Sequence, residues 1–123
     1  MTVQETSRIF KTSWFAKAAR KSHISDEELC AAIRQVMKGQ ADDLGGGVFK
    51  KRLNDNMYRS IIIAKGGRYW IYTYLFAKKD RDNIDIDELV GFKKLANLYS
   101  RQSDAAIDAE IKNGDLMEIC NVQ

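Results

Sequence analysis

The sequence predicts an α+β fold in which two N-terminal helices precede an antiparallel sheet of three or four strands, followed by one or two C-terminal helices and a short last strand. Two observations indicate this class. Apolar residues recur at helical spacing in the first 38 positions and again after position 85, and β-branched and aromatic residues crowd the segment between. The 123 residues contain no proline and no repeat, so we expect one domain over residues 1–123.

Two helices are predicted in the N-terminal part. Thr12 or Ser13 is a suitable N-cap for a short helix over residues 14–21. Ser25, with Glu28 three positions on, forms a capping box for a second helix that ends near residue 38, just before a glycine. Its apolar residues recur every three or four positions, which places them on one face for burial.

Three strands are predicted in the central segment, over residues 48–53, 57–65 and 68–76. Asp55 and Asn56 suit the turn between the first two strands, and Gly66-Gly67 suits a tight antiparallel hairpin between the second and third. Alternation along the third strand predicts that four of its five aromatic residues share one face, a row of Trp70, Tyr72, Tyr74 and Phe76, with Tyr69 on the other. Such a row can stack RNA bases, but on a central strand core packing is favoured.

Two helices and a short strand are predicted in the C-terminal part. Asp85 is an N-cap with Glu88 at the capping-box position of a third helix, and residues 103–112 suit a fourth helix. Residues 116–120 suit a short edge strand. We expect the helices to cover one face of the sheet.

Charge is unevenly distributed along the chain. Residues 47–81 carry nine basic and two acidic side chains, whereas residues 82–123 carry four basic and nine acidic ones. A basic centre beside acidic flanks is typical of a polyanion-binding surface, although a lysine-rich solvated strand would leave the same pattern. The chain has no long apolar run and no N-terminal signal core, so we expect a cytosolic protein without a membrane segment.

Several familiar catalytic and metal-binding arrangements are absent from the sequence. His23 is the only histidine, which argues against a histidine-pair ribonuclease and a histidine metal site, and the aspartates suit loops and helix starts. We therefore expect no metal and no cofactor. Cys30 and Cys120 lack CxxC spacing, and two buried free thiols are expected.

Basic side chains in the central segment suggest phosphate binding. The two-residue period of a strand sends Lys50 and Arg52 to the same face, and Arg59 follows on the next strand. RNA can be cleaved by its own 2′-OH once that group is positioned and deprotonated. A lysine crowded by cations has a lowered pKa and can move the proton, while arginines stabilise the charge on the phosphorane.

Three stretches of the sequence carry a family resemblance: GGGVFKKRL at residues 45–53, YRSIIIAK at 58–65 and FAKKDRDNI at 76–84. Over residues 8–100 the chain resembles the RelE/HigB toxins of type II toxin–antitoxin systems. The resemblance implies a metal-independent endoribonuclease that cuts mRNA on the ribosome. It also implies a cognate antitoxin, often of helix-turn-helix type, and binding of operator DNA only through the toxin–antitoxin complex.

The resemblance also implies roles for individual residues. The catalytic positions match Lys50, Arg52 and Arg59 and, in the loop after the third strand, Lys79 or its neighbours Lys78 and Arg81. We take Lys79 as the catalytic one and expect Lys51, Lys78 and Arg81 to bind RNA. Where some members carry a catalytic tyrosine, this sequence has Ile84 and Asp85, which makes Lys50 the first candidate for general base.

Two other function classes stay open at this point. The similar ParE toxins share the fold and inhibit DNA gyrase by binding it, an activity that does not need the basic cluster. A non-catalytic RNA-binding module would use stacking and phosphate contacts without cleavage.

Overall fold

A computed structural model describes residues 6–65 and 68–122. One six-stranded sheet runs through the molecule in the order β2-β3-β4-β5-β1-β6. The elements in chain order are β1 Ser7–Thr12, α1 Ser13–Lys21, α2 Asp26–Met37, β2 Asp42–Gly45, β3 Val48–Leu53, β4 Tyr58–Lys65, β5 Tyr69–Ala77, α3 Ile86–Ser100, α4 Asp104–Lys112 and β6 Leu116–Val122. The α+β class is confirmed.

The helix starts lie where the sequence predicts them. Thr12 Oγ1 accepts a hydrogen bond from the Phe15 N–H, so Thr12 rather than Ser13 caps α1. Asp85 and Glu88 form a complete capping box on α3. Only half of the predicted box forms on α2, because the carboxylate of Glu28 accepts a hydrogen bond from the Asn54 N–H at 2.5 Å. The first turn of α2 is thereby tied to the β3–β4 turn.

The central strands pair as predicted, but the sheet is larger than three or four strands. β3, β4 and β5 form an antiparallel meander. β1 was not predicted; it lies parallel to β5 and antiparallel to β6, so the sheet is mixed. The short β2 pairs with β3 at the edge of the sheet, although its aspartates, Asp42 and Asp43, suit a loop by sequence. The predicted Gly66-Gly67 hairpin turn lies outside the described residues.

A β-bulge divides the aromatic row on β5. Ile61 pairs with Tyr74 and Ile62 with Tyr72, so Thr73 has no opposite residue and the side-chain alternation shifts by one. Trp70 and Tyr72 therefore face one core, whereas Tyr74 and Phe76 face the other. The prediction of one shared aromatic face is wrong, while burial of Trp70, Tyr72 and Phe76 agrees with core packing.

Helices cover both faces of the sheet, not one. α1 and α2 enclose a core that includes Phe15, Leu29 and Ile62 on one face. α3 and α4 enclose a second core that includes Tyr99, Ile107 and Ile61 on the other. The run of isoleucines on β4 is apolar on both sides for this reason. No helix of the described residues combines the length and apolar character needed to cross a bilayer.

Cys30 and Cys120 form a disulfide bond, so the prediction of two free thiols is wrong. The two residues are 90 positions apart in sequence, but α2 packs against β6 and their Cα atoms lie 6.4 Å apart. That distance lies within the range that a disulfide spans. The bond joins the second helix to the last strand.

Candidate functional site

The register of β3, β4 and β5 aligns basic and aromatic residues across one face of the sheet. Arg52 lies opposite Arg59, and Arg59 lies opposite Phe76. Residues directly opposite each other in an antiparallel pair project to the same face. Lys50 is two residues before Arg52 and therefore shares this face, which is the one that α3 packs on. We call Lys50, Arg52 and Arg59 the basic row.

The β3 end of the basic row borders a cleft. Lys50, Lys51 and Arg52 line this cleft of about 400 Å³ together with residues 39–42. Lys50 Nζ lies 3.6 Å from a carboxylate oxygen of Asp42 on β2. Arg52 is exposed. Three cations therefore border one opening that a phosphate group can enter, and one of them already has a carboxylate partner.

Lys51 projects to the opposite face of β3 from the basic row. Its ammonium group donates a hydrogen bond to the Gln40 carbonyl at 3.0 Å. Burial, and secondarily the positive charge of Arg52, lower the pKa of Lys51. A lowered pKa makes the Lys51 ammonium easier to deprotonate, and only the neutral amine accepts a proton.

Arg59 is buried within the row, with 8% of its surface exposed. One guanidinium nitrogen, Nη1, donates to the carbonyls of Asn56 at 2.9 Å and Tyr58 at 3.3 Å. The turn that it holds contains three left-handed residues, Asn54, Asp55 and Asn56, types that tolerate this conformation. Arg59 therefore orders the β3–β4 turn and also places a positive charge next to Arg52.

Arg81 lies beside Phe76 after the end of β5. Its guanidinium is 5.5 Å from the centre of the Phe76 ring and forms a two-pronged ion pair with Glu88. The Arg81 hydrogen bond, with that of the Asp85 N–H, lowers the pKa of the Glu88 carboxyl. Arg81 Nη1 also lies 3.5 Å from the Tyr74 hydroxyl. Arg81 is thus fixed against the aromatic residues of β5 by the start of α3.

Lys78 and Lys79 are exposed on the turn after β5. Both line a cavity of about 460 Å³ with residues 55–58, next to the β3–β4 turn. Lys79 also borders a groove of about 490 Å³ that reaches Arg81 and α1. The loop lysines and the β3–β4 turn therefore lie at the same end of the sheet.

The predicted site residues fall into two neighbouring groups. Lys50, Lys51 and Arg52 share the β3 cleft, and Lys78, Lys79 and Arg81 border the openings near the β5 end. Arg59 lies between them by register. None of these three openings is lined by all seven residues. Sequence reasoning missed the carboxylates of Asp42 and Glu88, because their ion pairs with Lys50 and Arg81 depend on tertiary structure.

No group of three or more histidine, cysteine, aspartate or glutamate side chains is arranged to bind a metal within residues 6–65 and 68–122. Two carboxylates in this region instead form ion pairs, Asp42 with Lys50 and Glu88 with Arg81.

A comparison with protein families identifies this chain over most of its length. Residues 7–119 match the family described as the RelE toxin of the RelE/RelB toxin–antitoxin system. A comparison with curated proteins found no match. The match contains every strand from β1 to β5, all four helices and the whole basic row. A toxin of such a system has an antitoxin as its partner. The chain therefore belongs to the RelE toxin family.

Proposed function

We propose that the protein is an endoribonuclease that cleaves mRNA on the ribosome without a metal cofactor and so inhibits translation. The observation that carries this proposal is the basic row, in which Lys50 and Arg52 border an open cleft and Arg59 lies opposite Arg52. A row of fixed cations next to an opening is suited to hold a ribose–phosphate segment.

In this proposal the 2′-OH of the substrate attacks the adjacent phosphorus, and the bond from phosphorus to the 5′-oxygen of the next nucleotide breaks. Arg52, supported by Arg59, stabilises the additional negative charge on the phosphorane. Lys50, once it has given up its ion pair with Asp42 and lost its proton, accepts the 2′-OH proton as first candidate for general base. Lys79 donates a proton to the leaving 5′-oxygen. Lys51, with its lowered pKa, is a second candidate for the base.

Lys78 and Arg81 bind the RNA backbone beyond the scissile phosphate in the same proposal. Arg81 is already paired with Glu88, so a phosphate must share or displace that carboxylate. Lys78 is free to follow the backbone because it is exposed on a turn. The antitoxin partner that the family implies is proposed to be a helix-turn-helix protein, and operator DNA is bound through the complex with it.

Primer extension on a translated mRNA tests the proposal. Induction of the wild-type chain is expected to produce new 5′ ends within the reading frame, and a Lys50→Ala, Arg52→Ala variant is expected to produce none. Arg59 is tested separately as Arg59→Lys, because its removal also takes one hydrogen bond from the β3–β4 turn and one from the first residue of β4.

A matched control removes two exposed lysines outside the row, Lys17→Ala and Lys112→Ala, and changes the net charge equally. It is expected to cleave like the wild type. Undiminished cleavage by the row variant contradicts the assigned site. Inhibition of DNA supercoiling by the purified protein, without effect on mRNA, would replace the proposal with a gyrase-binding function.

A further inference from the structure

Trp14 stands out among the aromatic residues because it is half exposed. The second tryptophan, Trp70, is 8% exposed, whereas Trp14 is 51% exposed at the start of α1. The neighbouring Phe15 and Ala16 fill the core, so Trp14 is not needed to bury that face of the helix. An exposed indole on a rigid helix carries a large stacking surface.

One side of the indole is held by the sheet. The ring centres of Trp14 and Tyr74 lie 5.1 Å apart with a 30° angle between the planes. Tyr74 in turn contacts Phe76 and Phe92, with ring centres 5.8 and 6.0 Å away. The bulge at Thr73 creates this arrangement, because it turns Tyr74 away from the face of Trp70 and Tyr72. Trp14 is therefore anchored by Tyr74 while about half of its surface stays exposed to solvent.

Trp14 and Tyr74 both line the groove of about 490 Å³ that reaches the loop after β5. This volume falls within the ~300–1,000 Å³ range of sites that bury small organic groups. Ala18, one helical turn after Trp14, lines the groove with a small side chain and leaves space above it. Three cations, Lys21, Lys79 and Arg81, also line the groove. They outnumber its one carboxylate, Asp80, so the lining carries an excess of positive charge.

We propose that Trp14 is a base-stacking subsite for single-stranded RNA, in which one unpaired base lies against the indole while Lys21, Lys79 and Arg81 hold the flanking phosphates. An aromatic face beside a cationic groove is the combination by which proteins bind single strands. The inference rests on the proposed function: Lys79 and Arg81 belong to both sites, so the stacked nucleotide lies next to the scissile phosphate. Trp14 is a positioning residue for the substrate.

Binding of a short single-stranded RNA tests this subsite directly. The probe is a hexanucleotide with 2′-O-methyl groups, which the 2′-OH mechanism cannot cleave. Trp14→Ala is expected to weaken binding by about 5- to 150-fold, the effect of losing one stacked base. Trp14→Phe is expected to retain most of the affinity, since a smaller ring still stacks. Met117→Ala, which removes another exposed apolar side chain on β6, is expected to bind like the wild type.

A scan of abasic positions tests the subsite without altering the protein. Removing the base at one position of the RNA probe is expected to weaken binding to the wild-type protein by the same factor as Trp14→Ala does. The same abasic RNA is expected to bind Trp14→Ala no more weakly than the intact RNA does. Equal affinity of the wild type and Trp14→Ala overturns the inference, as does wild-type binding that no abasic position weakens. Loss of antitoxin binding in Trp14→Ala with unchanged RNA affinity also overturns it and assigns Trp14 to the protein partner.

Failure of this inference is distinguishable from failure of the proposed function. If the wild type cleaves mRNA and Trp14→Ala cleaves it with an unchanged KM, only the subsite is wrong. If the abasic position and Trp14 show the expected coupling but no mRNA is cleaved, the subsite stands and the nuclease proposal fails.

Discussion

Reduction of the Cys30–Cys120 disulfide is expected to destabilise the fold strongly. The bond joins α2 to β6 and closes a loop that contains most of the chain, since the two residues are 90 positions apart. β6 is the edge strand beside β1. Opening the bond gives the unfolded chain the conformational freedom that the cross-link removes, and it leaves the edge strand held only by noncovalent contacts.

The magnitude follows from the length of the loop. A cross-link over about 90 residues lowers the entropy of the unfolded chain by an amount equivalent to roughly 4–5 kcal/mol at 25 °C. The urea dependence of unfolding for a small domain is about 1–3 kcal/mol per molar. The midpoint of urea unfolding is therefore expected to fall by on the order of 2 M when the bond is reduced.

The assay is urea unfolding of the oxidised protein and of the protein in dithiothreitol, with thiol alkylation and mass measurement to establish which form is present. A Cys30→Ser, Cys120→Ser variant serves as control and is expected to unfold at the midpoint of the reduced protein in both buffers. Equal midpoints for verified oxidised and reduced protein would refute the reasoning.

Three further predictions concern stability and are checked by chemical unfolding. Asp85→Ala removes the N-cap of α3 and is expected to lower the free energy of unfolding by about 1 kcal/mol. An unchanged free energy of unfolding would mean that the capping box contributes nothing to stability. Gly47→Ala is expected to lower the free energy of unfolding by about 1–2 kcal/mol, because Gly47 has φ +82° and an added Cβ would lie 3.1 Å from the Ala64 carbonyl oxygen. Gly39→Ala is the control: Gly39 also has a positive φ, but an added Cβ would meet nothing within 4 Å, so this variant measures the backbone strain alone. The hydrogen bond from Arg8 lowers the pKa of the Glu118 carboxyl in the folded protein below its ordinary value of 4.5. The stability that this pair contributes is therefore fully present above pH 4.5, and it is lost as the pH falls through the lowered pKa of the folded state. Glu118→Gln is expected to reduce the acid sensitivity by about 0.2–1 kcal/mol between pH 7 and pH 3, and identical pH profiles would contradict the assignment.

Local signals in the sequence predict the central fold well. The helix caps at Thr12, Ser25 and Asp85 depend on residues within one turn, and the structure has all three. The meander of β3, β4 and β5 is also predicted, because its strands adjoin one another and the Asn and Asp residues of the first turn tolerate left-handed conformations.

Tertiary pairing explains what the sequence does not predict. β1 has only two core residues, Ile9 and Phe10, and they face opposite cores, so no alternation of apolar and polar residues marks it as a strand. The bulge at Thr73 depends on the register against β4 and reverses the faces of Tyr74 and Phe76. The approach of Cys30 to Cys120 depends on the packing of α2 against β6.

The candidate site, too, is predicted from the sequence only where local patterns determine it. The shared face of Lys50 and Arg52 follows from strand alternation and agrees with the register. The burial of Arg59, the carboxylate partners of the cations and the half-exposed Trp14 depend on elements far apart in sequence. Whether the basic row cleaves RNA stays a prediction.

The most direct test of that prediction is the single-turnover cleavage rate of mRNA on programmed ribosomes. Replacing Arg52 by Ala removes a fixed positive charge from the exposed end of the row and is expected to slow cleavage by about 100- to 1,000-fold, as loss of one transition-state donor does in other enzymes. The Lys17→Ala, Lys112→Ala control is expected to keep the wild-type rate. Equal rates for the wild type and Arg52→Ala would contradict a catalytic role for the basic row.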